Sequence, residues 1–351
     1  MTQYYQLKVK EIIQETPDAV SLVFQKPEKG FEYKAGQFLT LIFTISGEKH
    51  RRSYSLCSSS GIDNDLVVTV KRVINGKISN YIADNIRIGD TIDVMSPSGN
   101  FIFTPDKTQK RNIVLIGAGS GITPLMSILK TILYDEPQST VSLLYGNRNE
   151  QSIIYFRVLN ELKMKFTDRF NLIYFLSQPE GEGEFVVGRL NQSEIIKQLE
   201  RTGADLRKSE YFICGPEGMM HEVKKSLDII KLEKERIHQE SFVNTISSES
   251  TGKIVDDGQN KEQEVVIIYQ GSEYKVKVKP EQTILAAALD ADIDLPYSCQ
   301  SGLCTACMGK CVSGKVHLDE KDALSDKELQ QGYVLTCVGH PVTSDVVIEI
   351  D

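Results

Sequence analysis

Four cysteines near the end of the chain limit its possible folds more than any other feature of the sequence. They follow the pattern Cys299-x4-Cys304-x2-Cys307-x29-Cys337, within the last 53 of 351 residues. Clustered cysteines of this kind indicate a metal site rather than a disulfide framework. The segment must therefore bring three thiolates of one loop to a fourth from elsewhere. Three further cysteines lie outside the pattern: Cys57, Cys214 and Cys311.

The spacing predicts that these four cysteines hold a [2Fe–2S] cluster. A C-x4-C-x2-C loop with a distant fourth cysteine is a known ligand arrangement for this cluster. Small loop residues such as Gly302 and Ala306 would let backbone N–H groups approach the sulfurs. Zinc is the alternative, but zinc ribbons pair two short C-x2-C knuckles, and Cys337 has no such neighbour. Cys311 is interpreted as a small core residue.

The distribution of apolar residues predicts three folded segments and a linker. Residues 1–107 hold β-rich stretches separated by turn residues, which predicts a small antiparallel β-barrel. Residues 108–242 alternate strand-like and helix-like stretches, which predicts a doubly wound parallel α/β domain. Residues 243–262 are polar and have the composition of a linker with a reach of roughly 25 Å. Residues 263–351 form the third unit. The predicted barrel strands are Gln6–Ile13, Val20–Gln25, Gln37–Phe43 and Leu66–Arg72.

A first candidate binding site lies in the barrel segment. Arg52-Ser53-Tyr54-Ser55 follows a predicted strand and supplies the cation, hydroxyls and aromatic ring that a flavin and its phosphate require. Such residues are common in strands, so the tetrad alone does not indicate a flavin site. The residues downstream of it must be considered as well. There, Gly76 and Ser79 begin a predicted short helix, whose free N–H groups suit a pyrophosphate. The other candidate contacts in this region are Lys71, Val73, Lys77 and Ile78.

A glycine-rich loop forms the second candidate site. The predicted strand Ile113–Ile116 leads into Gly117-Ala118-Gly119-Ser120-Gly121-Ile122-Thr123-Pro124. Thr123 is the predicted N-cap of the next helix, with Pro124 in its first position. Such a loop presents a helix N-terminus to a dinucleotide phosphate. The Rossmann fingerprint requires glycine where this chain has Ile122, which argues against an ordinary dehydrogenase.

Taken in order, these motifs resemble those of the ferredoxin–NADP reductase family. Arg52–Ser55 resembles its R-x-Y-S element, Gly76–Ser79 its G-x-x-S element, and the glycine loop its G-x-G-x-G-x-x-P element. Cys214-Gly215-Pro216 resembles its C-G-P motif, although a buried cysteine at a strand end is the simpler interpretation of Cys214 alone. The last segment resembles a plant-type ferredoxin. This domain order is that of oxygenase reductases with a C-terminal cluster.

The resemblance implies roles for individual residues. Arg52 and Ser79 would contact the pyrophosphate of FAD, which FMN lacks, while Tyr54 and Ser55 would contact the flavin. Cys214 would lie beside the nicotinamide together with Gly215 and Pro216. Glu240 and Phe242 would close the second domain near the flavin. The implied catalytic residues are Ser55, Cys214 and Glu240. The implied fold is a β-barrel, a doubly wound α/β domain and an α+β (β-grasp) ferredoxin domain.

The implied function is electron transfer from NAD(P)H through FAD and the cluster to a protein acceptor, such as a multicomponent oxygenase. NADPH is favoured because the predicted second strand, Val141–Tyr145, is followed by Arg148 with no acid until Glu150. Arg148 could pair with a 2′-phosphate, or be a solvated loop residue with NADH as the donor. The remaining alternatives are reduction of a small acceptor, an oxygenase, hydroxylase or desaturase of another kind, and a redox-sensing metal module.

Charge and hydropathy narrow the partners. Of the net charge of −8, residues 263–351 contribute −7, with seven basic and fourteen acidic side chains. This acidity serves either solubility or docking to a basic redox partner. No basic patch suggests nucleic acid. No apolar run approaches the roughly 20 residues of a membrane span, and no secretion signal is recognisable, so a cytoplasmic location is expected.

Overall fold

The computed structural model describes residues 3–27, 31–242, 262–297, 300, 302, 304–321 and 323–350. Two sequence-based predictions fall largely outside these residues, namely the linker at 243–262 and the ligand role of Cys299. The strands of the described residues form three large sheets and one two-stranded sheet.

The first sheet is antiparallel and has the strand order β4-β3-β6-β1-β2-β5. An isolated bridge between Leu56, just after β4, and Val68 of β5 joins the two edge strands, which closes the sheet into a barrel. The four predicted strands are present, whereas β4 and β6 were not predicted. The elements are β1 (Tyr4–Thr16), β2 (Ala19–Phe24), β3 (Phe38–Ile45), β4 (Glu48–Ser55), β5 (Leu66–Lys71), α1 (Lys77–Asn85) and β6 (Thr91–Met95).

The second sheet has six parallel strands in the order β10-β9-β8-β7-β11-β12. The chain builds outward from β7 on one side and then returns to the other. The order therefore reverses beside β7, where the carboxyl ends of the strands form a ligand crevice. The elements are β7 (Asn112–Ala118), α2 (Ile122–Asp135), β8 (Thr140–Asn147), α3 (Phe156–Lys165), β9 (Phe170–Leu176), β10 (Phe185–Val187), α4 (Gln192–Arg201), β11 (Glu210–Cys214), α5 (Glu217–Ile230) and β12 (Ile237–Glu240).

Helices cover both faces of this sheet, as the doubly wound prediction requires. Two separate apolar clusters form around the strands: Leu115 of β7 belongs to one and Ile116 to the other. Because β7 is buried on both faces, its sequence is a continuous apolar run rather than an alternating one.

The third sheet is mixed and has the order β14-β13-β19-β15-β17. Its central pair, β13 and β19, is parallel, and the other pairs are antiparallel. This arrangement confirms the predicted β-grasp fold. The elements are β13 (Gln263–Tyr269), β14 (Ser272–Val278), α6 (Ile284–Asp290), β15 (Met308–Ser313), β16 (Val316–Leu318), α7 (Asp326–Gln330), β17 (Tyr333–Leu335), β18 (Gly339–Pro341) and β19 (Val347–Ile350). None of the helices in the described ranges is long and apolar enough to cross a membrane.

Candidate flavin, nicotinamide and cluster sites

The four predicted flavin residues form the last half of β4. They follow β3, which overlaps the predicted strand Gln37–Phe43, and themselves belong to β4, which pairs with β3 along its whole length, from Glu48 opposite Ile45 to Ser55 opposite Phe38. Strand alternation places Arg52 and Tyr54 on one face and Ser53 and Ser55 on the other. The Ser55 hydroxyl is buried and has no hydrogen-bond partner among the described residues.

A short helix, α1, begins at the predicted place, next to Gly76. Gly76 is the N-cap, no side chain caps the helix, and its first turn holds no acidic residue. The Ser79 hydroxyl accepts the Val73 N–H at 3.1 Å. The Asn80 amide donates to the carbonyl oxygens of Val73 at 3.1 Å and Gly76 at 2.7 Å. These contacts hold the turn rigidly and leave the free helix N–H groups for a phosphate. Sequence reasoning missed Asn80.

Cationic side chains surround this helix end. The Lys77 ammonium lies 3.3 Å from Glu48, and the Lys71 ammonium lies 3.4 Å from Asp18. Lys71 also reaches the neighbouring glycine loop, since a Cβ built on Gly119 would lie 3.9 Å from its Nζ. The last residue of β5 therefore joins the barrel side of the site to the crevice of the parallel sheet. The Ile78 side chain, in the first turn of α1, is buried, whereas the Val73 side chain is exposed.

The glycine loop packs directly against the end of β11. A Cβ on Gly121 would lie 2.0 Å from the Cys214 carbonyl oxygen, so no larger residue fits without a shift of the backbone. Gly119 has φ +54°, and its carbonyl accepts the Tyr145 hydroxyl at 2.9 Å. The loop thus brings backbone N–H groups to the start of α2, as a dinucleotide phosphate requires.

The predicted helix start was wrong by two residues. Gly121 is the N-cap of α2, after a short 3-10 turn at Gly119–Gly121. Thr123 therefore lies inside the first turn, where its hydroxyl donates to the Ser120 carbonyl at 2.9 Å. Pro124 occupies the third helical position, which tolerates proline because that N–H has no partner within the helix. The glycines allow a tighter turn into α2 than a threonine N-cap would allow.

Cys214, Gly215 and Pro216 join β11 to α5, with Pro216 as the N-cap. Burial raises the pKa of the Cys214 thiol well above its ordinary value, and the nearby Glu240 raises it further. The thiol therefore stays protonated at neutral pH and is a poor nucleophile. It can shape the wall of a nicotinamide site without attacking what lies there.

Glu240 completes a small cluster of the three predicted catalytic residues. The pairing of β12 with β11 sets Glu240 opposite Cys214. Desolvation raises the pKa of the Glu240 carboxyl to about 8, an effect that the Ser55 hydroxyl partly offsets. Ser55 Oγ and Glu240 Oε2 lie close to each other but outside hydrogen-bond geometry, and neither atom has another hydrogen-bond partner within the described structure. Two polar atoms that are buried and unsatisfied at one point fit a polar group of a bound ligand. Phe242 follows with 40% of its surface exposed.

Two further residues lie at the carboxyl end of β8, the strand next to β7. Asn147 has buried amide atoms with no hydrogen-bond partner in the described part of the chain, and the sequence analysis did not select it. Arg148 is exposed; its N–H donates to the Ser152 hydroxyl. The Glu150 carboxylate is held elsewhere, by the N–H groups of Glu180 at 3.0 Å and Gly181 at 3.1 Å.

Three of the four predicted cluster ligands lie in the described residues and all are buried: Cys304, Cys307 and Cys337. The β15–β17 register sets Met308 opposite Leu335, so Cys307 lies beside Thr336 and the two ends of the pattern meet. Both the N–H and the hydroxyl of Thr336 donate to the Cys307 carbonyl, at 3.2 and 3.1 Å. Within the described residues, which do not include Cys299, no three His, Cys, Asp or Glu side chains are grouped closely enough to hold a metal ion, so the register shows the approach of the Cys307 and Cys337 segments and not a complete ligand set.

The loop itself needs an unusual backbone. Gly302 has φ +72°, and a Cβ there would lie 2.8 Å from the Glu320 side chain, so glycine is required twice over. Cys311 is separate. It lies in β15, where four residues span about 14 Å, and its thiol donates to the Ser313 carbonyl at 3.1 Å. This placement favours the prediction that Cys311 is not a ligand.

Comparisons with known proteins also distinguish three domains in the chain. The chain matches the profile of the oxidoreductase FAD-binding domain over residues 5–103, the oxidoreductase NAD-binding domain over 115–225, and the 2Fe-2S iron-sulfur cluster binding domain over 267–342. Phthalate dioxygenase reductase, a solved structure, has 22% identity and a TM-score of 0.61, with 99% of this chain and 98% of that chain covered.

Curated relatives match over essentially their whole lengths. One of the subunits of 1,2-phenylacetyl-CoA epoxidase from Escherichia coli is 35% identical, with 100% of this chain and 99% of the relative covered. The ferredoxin reductase component of 3-ketosteroid-9-alpha-monooxygenase from Rhodococcus rhodochrous is 34% identical, with 98% and 96% covered. The chain therefore belongs to the family of oxygenase reductases that combine an FAD domain, an NAD domain and a plant-type [2Fe–2S] domain in one polypeptide.

Proposed function

We propose that this protein is the reductase component of a phenylacetyl-CoA epoxidase and carries electrons from NADPH through FAD and a [2Fe–2S] cluster to the epoxidase. The electron-transfer class follows from the family. The choice of the epoxidase as the electron acceptor rests on the full-length similarity to a subunit of the Escherichia coli epoxidase. Reductases of other oxygenases are similar at nearly the same level, so a different oxygenase is the second candidate. The expected role is in phenylacetate catabolism.

We assign the flavin contacts to β4 and the start of α1. Arg52 and the free N–H groups of α1 would hold the pyrophosphate, with Ser53, Tyr54 and Ser55 along the flavin. The rest of this cradle comes from Lys71, Val73, Gly76, Lys77, Ile78 and Ser79. A pyrophosphate site of this kind favours FAD over FMN. Phe242, exposed and two residues after Glu240, is available to cover the flavin ring.

We assign the dinucleotide to the crevice of the parallel sheet. Gly117, Gly119 and Gly121 leave room for the phosphates, and the Thr123–Pro124 turn begins the helix behind them. Cys214, Gly215 and Pro216 form the wall beside the nicotinamide. A flavin bound here supplies hydride acceptance from NADPH and one-electron release to the cluster. The chain's own part is to hold the two ring systems together and exclude water.

Glu240 and Ser55 have a defined part in this arrangement. Because its pKa is near 8, the Glu240 carboxyl is mostly protonated at pH 7 in the ligand-free protein. A neutral carboxyl donates a hydrogen bond instead of adding a negative charge beside the ring that accepts hydride. The Ser55 hydroxyl lies close enough to the carboxyl to lower its pKa, and we assign it to share that proton.

Reconstitution tests the choice of partner. The purified protein, with FAD and cluster loaded, would be combined with the oxygenase subunits of a phenylacetyl-CoA epoxidase and, separately, with those of a 3-ketosteroid monooxygenase. We expect product only with the epoxidase, coupled to NADPH oxidation. Comparable turnover with the second oxygenase would contradict the assignment. Rapid reduction of quinones or ferric chelates without either oxygenase would favour a small acceptor.

We propose Arg148 as the residue that selects NADPH. It is exposed at the end of β8, and no carboxylate of the described chain pairs with its guanidinium. The nearest acid in sequence, Glu150, is occupied by the 180–181 turn. An arginine with a free fork binds a 2′-phosphate through charge-assisted hydrogen bonds, each contributing roughly 1.5–3 kcal/mol.

The Arg148→Ala variant measures this selectivity. We expect kcat/KM for NADPH to fall on the order of 10- to 100-fold, with little change for NADH. Arg207→Ala is the matched control, since Arg207 is an exposed arginine before β11, at the opposite end of the sheet. A preference of the native protein for NADH, or an equal loss with both dinucleotides in Arg148→Ala, would contradict the proposal.

We further propose a cytoplasmic location, where thiolate ligands for a cluster persist. The acidic ferredoxin domain is the surface that we assign to the oxygenase, because charge steers association with a basic partner. Nucleic acid is not expected as a partner.

A further inference from the structure

Arg51 is nearly wholly buried, with 2% of its surface exposed, and is the largest of the fully buried side chains of the described chain. Burying a guanidinium is unfavourable unless ion pairs and hydrogen bonds compensate for the lost hydration. The ion pairs and hydrogen bonds that compensate a buried guanidinium also fix the position of the groups that form them. The partners of Arg51 therefore show what it holds.

All the partners observed for the guanidinium come from the ferredoxin domain. Its Nη2 lies 2.8 Å from Asp294 Oδ1, and its Nη1 donates to the Leu295 carbonyl at 3.3 Å. The guanidinium carbon lies 4.8 Å from the centre of the Tyr297 ring, which is a cation–π contact. Three contacts of different kinds thus fix one segment of four residues, Asp294–Tyr297, against the barrel.

The two ends of this contact lie beside the two redox sites. On the barrel, Arg51 immediately precedes Arg52 in β4, the strand that carries the flavin contacts. On the ferredoxin domain, Tyr297 precedes Cys299 by two residues. The contact is therefore separated from each assigned cofactor site by only one or two residues of chain. Movement of Asp294–Tyr297 away from β4 would move the cluster loop away from the flavin.

Weaker contacts extend the same interface. The hydroxyls of Ser98 and Thr305 lie 3.4 Å apart, and Thr305 directly follows Cys304. The Asn100 amide donates to Glu328 at 3.1 Å, and Lys49 pairs with Asp294 at 3.1 Å. The pair of Lys49 and Asp294 is exposed on both sides and contributes little. Among these contacts, Arg51 alone combines burial with several partners.

We propose that Arg51 is a positioning residue that locks the cluster loop against the flavin-binding strand and so sets the rate of electron transfer from FAD to the cluster. The proposal rests on the assigned flavin and cluster sites. Each transfer oxidises the flavin by one electron and reduces the cluster by one. One hydride from NADPH supplies two electrons, and the oxygenase takes both from the cluster in two steps. Arg51 acts only on the distance and orientation of these transfers.

The Arg51→Met variant removes the charge and retains most of the volume. The loaded protein would be mixed anaerobically with NADPH, and the bleaching of the flavin and of the cluster would be followed separately by stopped flow. We expect the flavin to be reduced within about twofold of the native rate. We expect cluster reduction to slow on the order of tenfold or more, because an error of about 1 Å in placement can cost that much.

Asp294→Asn and Lys49→Ala provide the second variant and the control. Asp294→Asn removes the ion pair from the ferredoxin side and tests the proposal even where Arg51→Met does not fold. It should slow the same step. Lys49→Ala removes only the exposed pair with the same carboxylate, so its cluster reduction should stay within about twofold of the native rate. Small-angle scattering should show a larger radius of gyration for Arg51→Met, independent of any turnover.

The outcomes separate this proposal from the function on which it rests. If NADPH fails to reduce flavin and cluster in the native protein, the proposed function is wrong. If the native protein is active and both Arg51→Met and Asp294→Asn reduce the cluster at the native rate, the positioning role is wrong. Slowing of flavin reduction and cluster reduction by the same factor would also overturn it, because a general structural role predicts that result.

Discussion

At the scale of single residues, the protein places a few polar groups where burial changes their chemistry. Ser55, Cys214 and Glu240 come from two domains and meet where β4 approaches the ends of β11 and β12. Cys214 stays a thiol, and Glu240 is protonated at a pH where glutamate is ordinarily charged. The site therefore carries less negative charge than its sequence suggests, which suits the acceptance of a hydride.

The raised pKa of Glu240 predicts a pH-dependent stability. Below pH 4.5 the carboxyl is protonated in both the folded and the unfolded protein. Between 4.5 and about 8 only the unfolded state loses the proton, so the free energy of unfolding falls as pH rises. We expect Glu240→Gln to gain at least about 1 kcal/mol over the native protein between pH 5 and pH 8, compared with roughly 1.4 kcal/mol per pH unit for a wholly desolvated carboxyl.

Urea unfolding followed by circular dichroism at several pH values measures this difference. Glu235→Gln is the control, because Glu235 is an exposed residue of the same segment, and its effect should not vary with pH. A stability difference between Glu240→Gln and the native protein that stays constant from pH 5 to pH 9 would show that the carboxyl titrates normally.

At the scale of secondary structure, each cofactor is met by the end of an element. The start of α1 is assigned to the pyrophosphate of FAD, the turn from β7 into α2 to the dinucleotide, and the ends of β15 and β17 to two of the proposed cluster ligands, Cys307 and Cys337. Ends of elements suit this purpose, since their N–H groups are not used within the element. The close packing of these ends leaves little freedom for substitution.

Gly121→Ala tests the packing of the glycine loop. The added Cβ would lie 2.0 Å from the Cys214 carbonyl, so the loop or β11 must move. We expect a loss of roughly 1–3 kcal/mol or more in stability, and weaker dinucleotide binding. Gly218→Ala in α5 is the matched control, since a Cβ there meets nothing within 4 Å, and stability should be unchanged or raised by up to about 1 kcal/mol. Equal effects of the two substitutions would refute the packing argument.

The strand geometry of β15 separates the cluster ligands from Cys311. Single Cys→Ser variants, purified anaerobically, would be assayed for iron and sulfide. We expect Cys311→Ser to keep its cluster, whereas changes at Cys299, Cys304, Cys307 or Cys337 should reduce the iron content or alter the visible spectrum. Loss of the cluster in Cys311→Ser, or a native spectrum and full iron content after any of the other four changes, would show that the ligand set is different.

At the scale of the whole molecule, three domains place three cofactor sites next to one another. The barrel contacts the α/β domain through Lys71 and Ser55, and the ferredoxin domain through Arg51 and Asn100. The barrel therefore lies between the electron donor and the cluster. Within the described residues, the contacts between the barrel and the ferredoxin domain include hydrogen bonds, ion pairs and a cation–π contact, and such polar contacts suit a unit that also receives a partner protein.

A fragment of residues 1–242 tests whether the barrel and the α/β domain function without the ferredoxin domain. We expect it to bind FAD and to reduce ferricyanide with NADPH at close to the native rate, because both sites are complete within it. It should fail to reduce an acceptor protein that requires the cluster, while the intact chain does so. Recovery of a soluble fragment without flavin would indicate that the ferredoxin domain contributes to the flavin site.

The sequence by itself determined the features that depend on short stretches of chain. The cysteine spacing, the glycine loop before α2, the free N-terminus of α1 and the strand–helix alternation of residues 108–242 are all local patterns, set by backbone sterics and hydrogen bonding. Together with the resemblance to the ferredoxin–NADP reductase family and to plant-type ferredoxins, they were enough to predict the three folds and the cofactors. The strand β4 was not predicted because its residues are almost all polar, and β6 was not predicted although Thr91–Met95 alternates polar and apolar residues, because it is only five residues long. Thr123 was a plausible cap that the glycine turn before it displaced.

Only the tertiary structure decided which distant residues meet. The register of β11 with β12 brings Glu240 to Cys214, and the packing of the barrel against the α/β domain brings Ser55 to Glu240. The pairing of Arg51 with Asp294 likewise depends on how two domains pack, and no pattern near either residue indicates it. Burial then sets the protonation of Glu240 and the strength of the ion pair between Arg51 and Asp294. Desolvation depends on all the atoms that surround a group and not on its neighbours in the chain.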